Sequence, residues 1–160
     1  MFESLAAKGF ALAVQMVGNR DDAAEIVQEG LLTLWKNRWR LDRNRQPRAW
    51  FYRVLRNLCV DRLRRRGRAT APGPQADRLS DAGAGDPSRI AEANERRARL
   101  RRELESLPAE LREILCLRDF HNLPYAEIAA VLGIPAGTVM SRLHHARLEL
   151  RLRMSGTETG

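Results

Sequence analysis

Apolar positions recur at helical spacing along most of the chain, and no run alternates in the manner of a strand. The stretch Leu5 to Val17 is apolar and ends at Gly18-Asn19, a stop signal. Asp22 with Glu25 three residues later resembles a capping box and predicts a helix to about Asn37. In it Val27, Leu31, Leu34 and Trp35 fall at i, i+4, i+7 and i+8, the spacing of one helix face. Residues 38–46 read as a loop or a single turn. Pro47 suits the first position of a new helix. There Phe51, Val54, Leu55 and Leu58 form an apolar stripe, and Arg48, Arg53, Arg56 and Arg62 lie around the rest. That helix runs through Arg64, Arg65 and Arg66 and stops near Gly67.

Residues 67–89 change character. Gly, Ala, Pro, Ser and Asp dominate, and Leu79 is their single large apolar residue, so a linker without fixed structure is expected. The expected architecture is all-α: two small helical domains joined by a flexible linker. The first module is residues 1–68, the linker 69–93 and the second module 94–154. Helical periodicity resumes near Ile90 and continues to Leu107, where Leu107-Pro108 breaks it. The next helix runs from Ala109 to about Asp119, with Leu111, Ile114 and Leu115 facing inward.

Residues 125–150 carry the sharpest local signal. A helix-turn-helix needs a small residue midway along its first helix, a turn residue tolerant of positive φ, and an apolar residue of the second helix facing back. Ala129, Gly133 and Val139 supply these in order, and Ile128, Leu132, Ile134 and Leu143 complete a core. Pro135 is acceptable at the start of the second helix. Outward from that helix point Thr138, Ser141, Arg142, His144, His145 and Arg147, each able to reach a phosphate or a base edge. An ordinary helical hairpin with a glycine turn is the plainer alternative, and the coincidence of spacing with a polar outer face favours DNA. Adjacent residues on a helix point about 100° apart, so His144 and His145 do not form a metal pair.

Charge adds a second signal. The chain has 28 basic and 20 acidic residues, a net charge of +8, and residues 38–68 alone hold 12 Arg against two Asp. An excess concentrated in one segment suits a surface that meets phosphate. Apolar residues at 44% and charged residues at 30% are a globular balance. Cys59 and Cys116 lie far apart without a C-x-x-C or His/Cys cluster, so neither a zinc site nor a disulfide framework is expected; both read as small core residues. No metal or other cofactor is implied. The start lacks a basic-then-apolar signal pattern and no apolar run approaches membrane-spanning length, so membrane insertion is not expected and a cytoplasmic setting is the default. His121, His144 and His145 lack a carboxylate or Ser/Cys constellation, so catalysis is not expected either.

Taken together, MVGNRDDAAEIVQEGLLTLWKN with QPRAWFYRVLRNLCVDRLRRR resembles region 2 of the extracytoplasmic-function (ECF) sigma factors, and LPAELREILCLRDFHNLPYAEIAAVLGIPAGTVMSRLHHARLEL resembles their region 4. Two motifs in the right order around a linker are more specific than either alone. The resemblance implies a protein that binds core RNA polymerase, directs it to promoter DNA and helps to open the duplex. The helix matching Asp22 to Asn37 docks on polymerase in that family, which makes Asp22, Glu25, Gln28, Glu29 and Trp35 the docking candidates; Trp35 reads equally well as core. The following loop and helix match the parts that meet the minus-ten element. Arg48, Trp50, Tyr52, Arg53, Arg56, Asn57, Asp61 and Arg62 are the candidates there, with Trp50 or Tyr52 open to a core role, and Arg64, Arg65 and Arg66 suit duplex phosphates. The helix-turn-helix matches the reader of the minus-thirty-five element. Met140, Ser141, His144 and His145 are placed for base contact, and Thr138, Arg142 and Arg147 for the backbone.

Departures from the family pattern bear on these expectations. Many members have Lys or Arg at the position of Met140 and Arg at that of His145, so a different recognised sequence or a weaker hold on this element is expected. Members also carry a longer first helix ahead of the match to Phe10. Asp77, Asp81 and Asp86 loosely fit a family linker that mimics nucleic acid, a simple tether being as good an account. Many members are held by an anti-sigma factor, often membrane-linked, which brings such a partner into view here. An autonomous helix-turn-helix regulator is the competing account. It would need a dimerisation or sensory module in residues 1–68, of which the sequence shows no sign, and it would bind duplex DNA without polymerase. A general nucleic-acid coat using the arginine-rich segment would leave the helix-turn-helix spacing unexplained.

Overall fold

The computed structural model describes residues 2–41, 46–68 and 85–156, all helix or short connection with no strand among them. The first half supplies α1 (Phe2–Val17), α2 (Arg20–Lys36), a single turn α3 (Arg38–Leu41) and α4 (Pro47–Arg68). Helix α2 starts earlier than Asp22. Its cap is Asn19, in extended backbone, whose side-chain oxygen accepts the Asp22 N–H at 3.0 Å. With that cap in place the Asp22 carboxylate is free for other partners. The earlier boundary thus comes from an Asn that is both stop signal for α1 and start signal for α2.

Helices α1, α2 and α4 bury Leu12, Met16, Ile26, Leu34, Phe51 and Leu55 among them. Two glycines set how closely they approach. A Cβ on Gly9 would lie 2.7 Å from Leu55 Cδ1 and 2.8 Å from Phe51 Cε1, and one on Gly30 2.6 Å from Leu55 Cδ2. Leu55 is therefore gripped between α1 and α2 with no room for a methyl group on either.

The second half begins with α5 (Pro87–Ser106), capped by Asp86 and with Pro at its first position. Residues 87–93, expected in the linker, are thus helical. Residues 69–84, which contain Asp77 and Asp81, lie outside the described residues. Next comes α6, which keeps α geometry over Ala109–Leu115 and then widens into a π-helical turn at Cys116–Phe120. The expected single helix to Asp119 is replaced by this turn, closed by a bond from the His121 N–H to the Cys116 carbonyl at 3.0 Å. Asn122, at φ 51°, reverses the chain into α7 (Tyr125–Leu132), and α8 (Ala136–Gly156) follows.

The halves are packed on each other. Buried residues of α1 and α4 and those of α6, the π-turn, α7 and α8 belong to one contiguous cluster. Arg112 on α6 ties the ends together. Its guanidinium donates to the carbonyls of Leu104, Glu105 and Leu107 and, across the seam, to that of Met16 at 2.8 Å. Burial pulls its pKa below the usual arginine value without threatening its charge.

Candidate nucleic-acid interface

Helices α7 and α8 meet at 94°, the steep crossing of a DNA-reading helix-turn-helix. Gly133 stands at the turn in the left-handed region (φ 66°, ψ 36°), where a β-carbon would be strained. Ile128, Val139 and Leu143 are fully buried between the helices, and Ala129 is half-buried. The Pro135 carbonyl accepts the N–H groups of Thr138 and Val139, which starts α8.

Of the residues expected to read bases, Met140 is 60% exposed, and Ser141, His144 and His145 are exposed beside it. The Ser141 hydroxyl donates back to the Thr138 carbonyl at 3.2 Å, and His145 lies 3.8 Å from Glu149. Thr138 and Arg142 are half-buried at the edge of this face. Arg147 is exposed but already engaged, with Nε and Nη2 donating to the two Asp119 oxygens at 3.1 and 2.5 Å. That bond raises its pKa, so the charge stays fixed while the fork is oriented.

The arginine-rich helix α4 is divided into three faces. Arg53, Asn57, Asp61, Arg64 and Arg65 are exposed. Arg62 and Arg66 turn toward α2. Arg62 donates to Asp22 at 2.6 Å and to Glu25 at 3.0 Å, and Arg66 to Asp22 and to the Val17 carbonyl. The hydrogen bond to Glu25 is the first cause of the raised Arg62 pKa. The third face turns toward the second half. Arg56 donates Nε and Nη2 to the two oxygens of Glu113 at 2.7 and 3.1 Å, and Arg48 donates Nε and Nη2 to Glu127 Oε2 at 3.1 and 2.7 Å. Trp50 is half-buried. Tyr52 is 1% exposed and offers no ring face to solvent; burial pushes its hydroxyl pKa up. That hydroxyl lies 3.4 Å from His121 Nδ1, whose Nε2 is 3.0 Å from Gln15 Oε1. A neutral imidazole protonated at Nε2 satisfies both partners. Burial first, and Lys8 second, lower the His121 pKa and favour that neutral form.

On α2 the docking candidates separate. Asp22 is half-buried under Arg62 and Arg66, whereas Glu25, Gln28 and Glu29 are exposed. Trp35 is 59% exposed, so the shared face suggested by its spacing ends at Leu34. With Leu32 and Trp39 it makes an apolar surface. The Arg38 guanidinium lies 4.1 Å from the Trp35 ring centroid and 4.8 Å from that of Trp39. Periodicity gave no reason to single out Trp39, Leu32, Glu113 or Glu127; only the folded chain shows the first two uncovered and the last two bound to arginines.

A basic helical module followed by a helix-turn-helix module defines a DNA-binding protein of transcription. The Sigma-70 region 2 model matches residues 1–69 and the Sigma-70 region 4 model residues 97–150. The chain is 32% identical over 155 residues to the ECF RNA polymerase sigma factor SigL of Mycobacterium tuberculosis, covering 96% of this chain and 86% of that one. It is 35% identical over 146 residues to SigE of Mycolicibacterium smegmatis, covering 89% of this chain and 55% of that longer protein. Among solved structures, the sigma factor RpoE of Bartonella quintana, in complex with the anti-sigma factor NepR, shares the fold with a TM-score of 0.76 at 24% identity over 94% of this chain and 92% of that one. CnrH, in complex with the cytosolic domain of CnrY, has a TM-score of 0.61 at 24% identity, over 97% and 88% of the two chains. The chain belongs to the ECF RNA polymerase sigma factors.

Proposed function

We infer that this protein binds core RNA polymerase, brings it to particular promoters and supports melting of the duplex at the start site. The observation that carries this reading is the joint presence, in one chain and in family order, of an uncovered reading face on α8 and the arginine-rich α4 beside an exposed Trp35. In this reading Met140, Ser141, His144 and His145 meet base edges of the minus-thirty-five element, with Thr138, Arg142 and Arg147 on its backbone. Met140 offers a thymine methyl an apolar contact where a basic residue would seek a guanine. Arg48, Trp50, Arg53, Arg56, Asn57 and Asp61 lie on the surface for the minus-ten strand, Arg62 borders it while bound to Asp22 and Glu25, and Arg64 and Arg65 hold duplex phosphate. Arg66, bound to Asp22, braces α4 against α2, and Tyr52 supports the surface from beneath.

The exposed rim of α2, with Glu25, Gln28, Glu29 and Trp35, is the polymerase-docking surface of this reading. The protein acts by binding, the polymerase carries the chemistry, and the setting is cytoplasmic. No single helix among the described residues is long and apolar enough to cross a membrane. An anti-sigma factor is a further partner of the same reading. Trp35→Ala is expected to weaken core-polymerase binding about tenfold, the loss typical of one aromatic anchor, with thermal stability unchanged because the ring is uncovered. Surface plasmon resonance against immobilised core polymerase checks this, and unaltered affinity would move the docking surface elsewhere.

A further inference from the structure

We propose that Trp39, held against Arg38 just past the end of α2, is a stacking platform for an unpaired base of the opened promoter strand. The inference deepens the reading of a duplex-melting protein given above and rests on it. Among the described residues Trp39 is the most exposed large apolar side chain, at 72%. Trp35 and Leu32 extend the same uncovered surface, and a patch of that kind marks a place where something binds.

The ring is held in place. Asn37 closes α2, its N–H and side-chain amide both donating to the Thr33 carbonyl at 3.1 and 2.8 Å. The Arg40 N–H returns to the Asn37 carbonyl at 2.9 Å, which starts the turn of α3. Leu41 ends that turn, half-buried and packed against the core. Arg38 reaches back over this framework. Its Nη1 donates to the Trp35 carbonyl at 2.8 Å, and its guanidinium lies 4.1 Å from the Trp35 ring centroid and 4.8 Å from that of Trp39. With Arg38 over one face of the Trp39 ring and so much of the residue exposed, the opposite face is open to a ligand.

Charge selects the occupant. Glu25 and Glu29 are exposed earlier on α2. From Gly30 to Leu41 there is no acidic residue, and Lys36, Arg38 and Arg40 are cationic; the next acid, Asp42, lies outside the described residues. Lys36 and Arg40 are exposed on either side of Arg38. An open indole among cations suits single-stranded DNA, whose bases stack on the ring while its phosphates meet the charges. A paired base inside a duplex is already stacked on both sides by its neighbours, so the platform takes an unpaired one. Stacking of this kind tolerates any base, so Trp39 would hold the strand open without choosing its sequence.

Fluorescence anisotropy with a fluorescein-labelled single-stranded oligonucleotide of mixed sequence, and with its duplex, compares the full native chain with Trp39→Ala, Trp39→Phe and Arg40→Ala. Trp39→Ala is expected to bind the single strand about tenfold more weakly, with its duplex affinity and salt dependence unchanged, and Trp39→Phe to recover most of the loss. Arg40→Ala should instead reduce the logarithmic salt slope by about 0.7, the signature of one lost phosphate contact. Affinity for core RNA polymerase, read by surface plasmon resonance, should be the same for the native chain and Trp39→Ala. An equal loss on single strand and duplex would overturn the stacking, as would native-like strand binding by Trp39→Ala or a native chain that binds no strand. A loss of core affinity in place of strand affinity would assign Trp39 to polymerase docking beside Trp35 and defeat the proposal. A native chain that holds the strand through Trp39 yet leaves core polymerase unbound would keep the platform and refute the polymerase reading on which its promoter role rests.

Discussion

Arg112 looks in the sequence like one more arginine on a charged helix. In the structure it gathers three carbonyls from the end of α5 and one from α1. Arg112→Ala would remove all four of these bonds at once; the Leu104 carbonyl keeps the Leu107 N–H, and a buried acceptor left without a donor costs about 1–3 kcal/mol. A loss of about 2–3 kcal/mol in urea denaturation is expected, and Arg112→Lys should restore little of it, because one ammonium cannot span the fork. His121 makes a separate prediction. Its folded pKa lies below the ordinary histidine value of 6.5, through burial and then Lys8, with Tyr52 and Gln15 as its bonded neighbours. As pH falls through 6.5 the unfolded chain takes up the proton first, so stability is full above that value. It declines below, until the native imidazole is itself protonated. The unfolding midpoint should drop between neutral pH and about pH 5.5, and His121→Gln should flatten that slope.

Close helix contact carries the first half. Helices α1 and α2 each approach α4 through a glycine, Gly9 and Gly30, and Leu55 of α4 fills the space left by the missing side chains. Alanine is the better helix former by about 1 kcal/mol, but a methyl group forced against a fully buried leucine costs about 1–3 kcal/mol, so packing decides the sign. Gly30→Ala should therefore lower the thermal midpoint, and a rise would show that α2 can move away from α4. Helix existence and the helix-turn-helix were legible because long periodic stripes and the Ala129, Gly133 and Val139 spacing reflect local geometry. The start of α2 was not, because Asn19 competes with Asp22 for the cap. Nor was the π-turn, since Cys116 to Phe120 is a sequence that an ordinary helix would also accept. Trp35 fits the apolar stripe by spacing, yet stays uncovered where α2 gives way to the single turn of α3.

Across the molecule, the charge map pointed to residues 38–68 as the surface for phosphate, but not to how that charge is shared out. Arg62 and Arg66 brace α4 against Asp22, Arg48 and Arg56 face the second half, and Arg53, Arg64 and Arg65 remain exposed. This partition depends on contacts between residues 37 to 79 positions apart, which periodicity cannot register. Glu113 and Glu127 carry no signal of their own in the sequence; their arginine partners lie in the other half. The central claim is that the chain confers promoter choice on polymerase. Its most direct test is transcription in vitro from genomic fragments by core RNA polymerase, with and without the purified protein. Start sites that appear only with the protein, together with stoichiometric co-purification with core polymerase, are the predicted result. The contradicting result is a chain that leaves core polymerase unbound and its start sites unchanged while binding a specific duplex tightly by itself, as an autonomous regulator would.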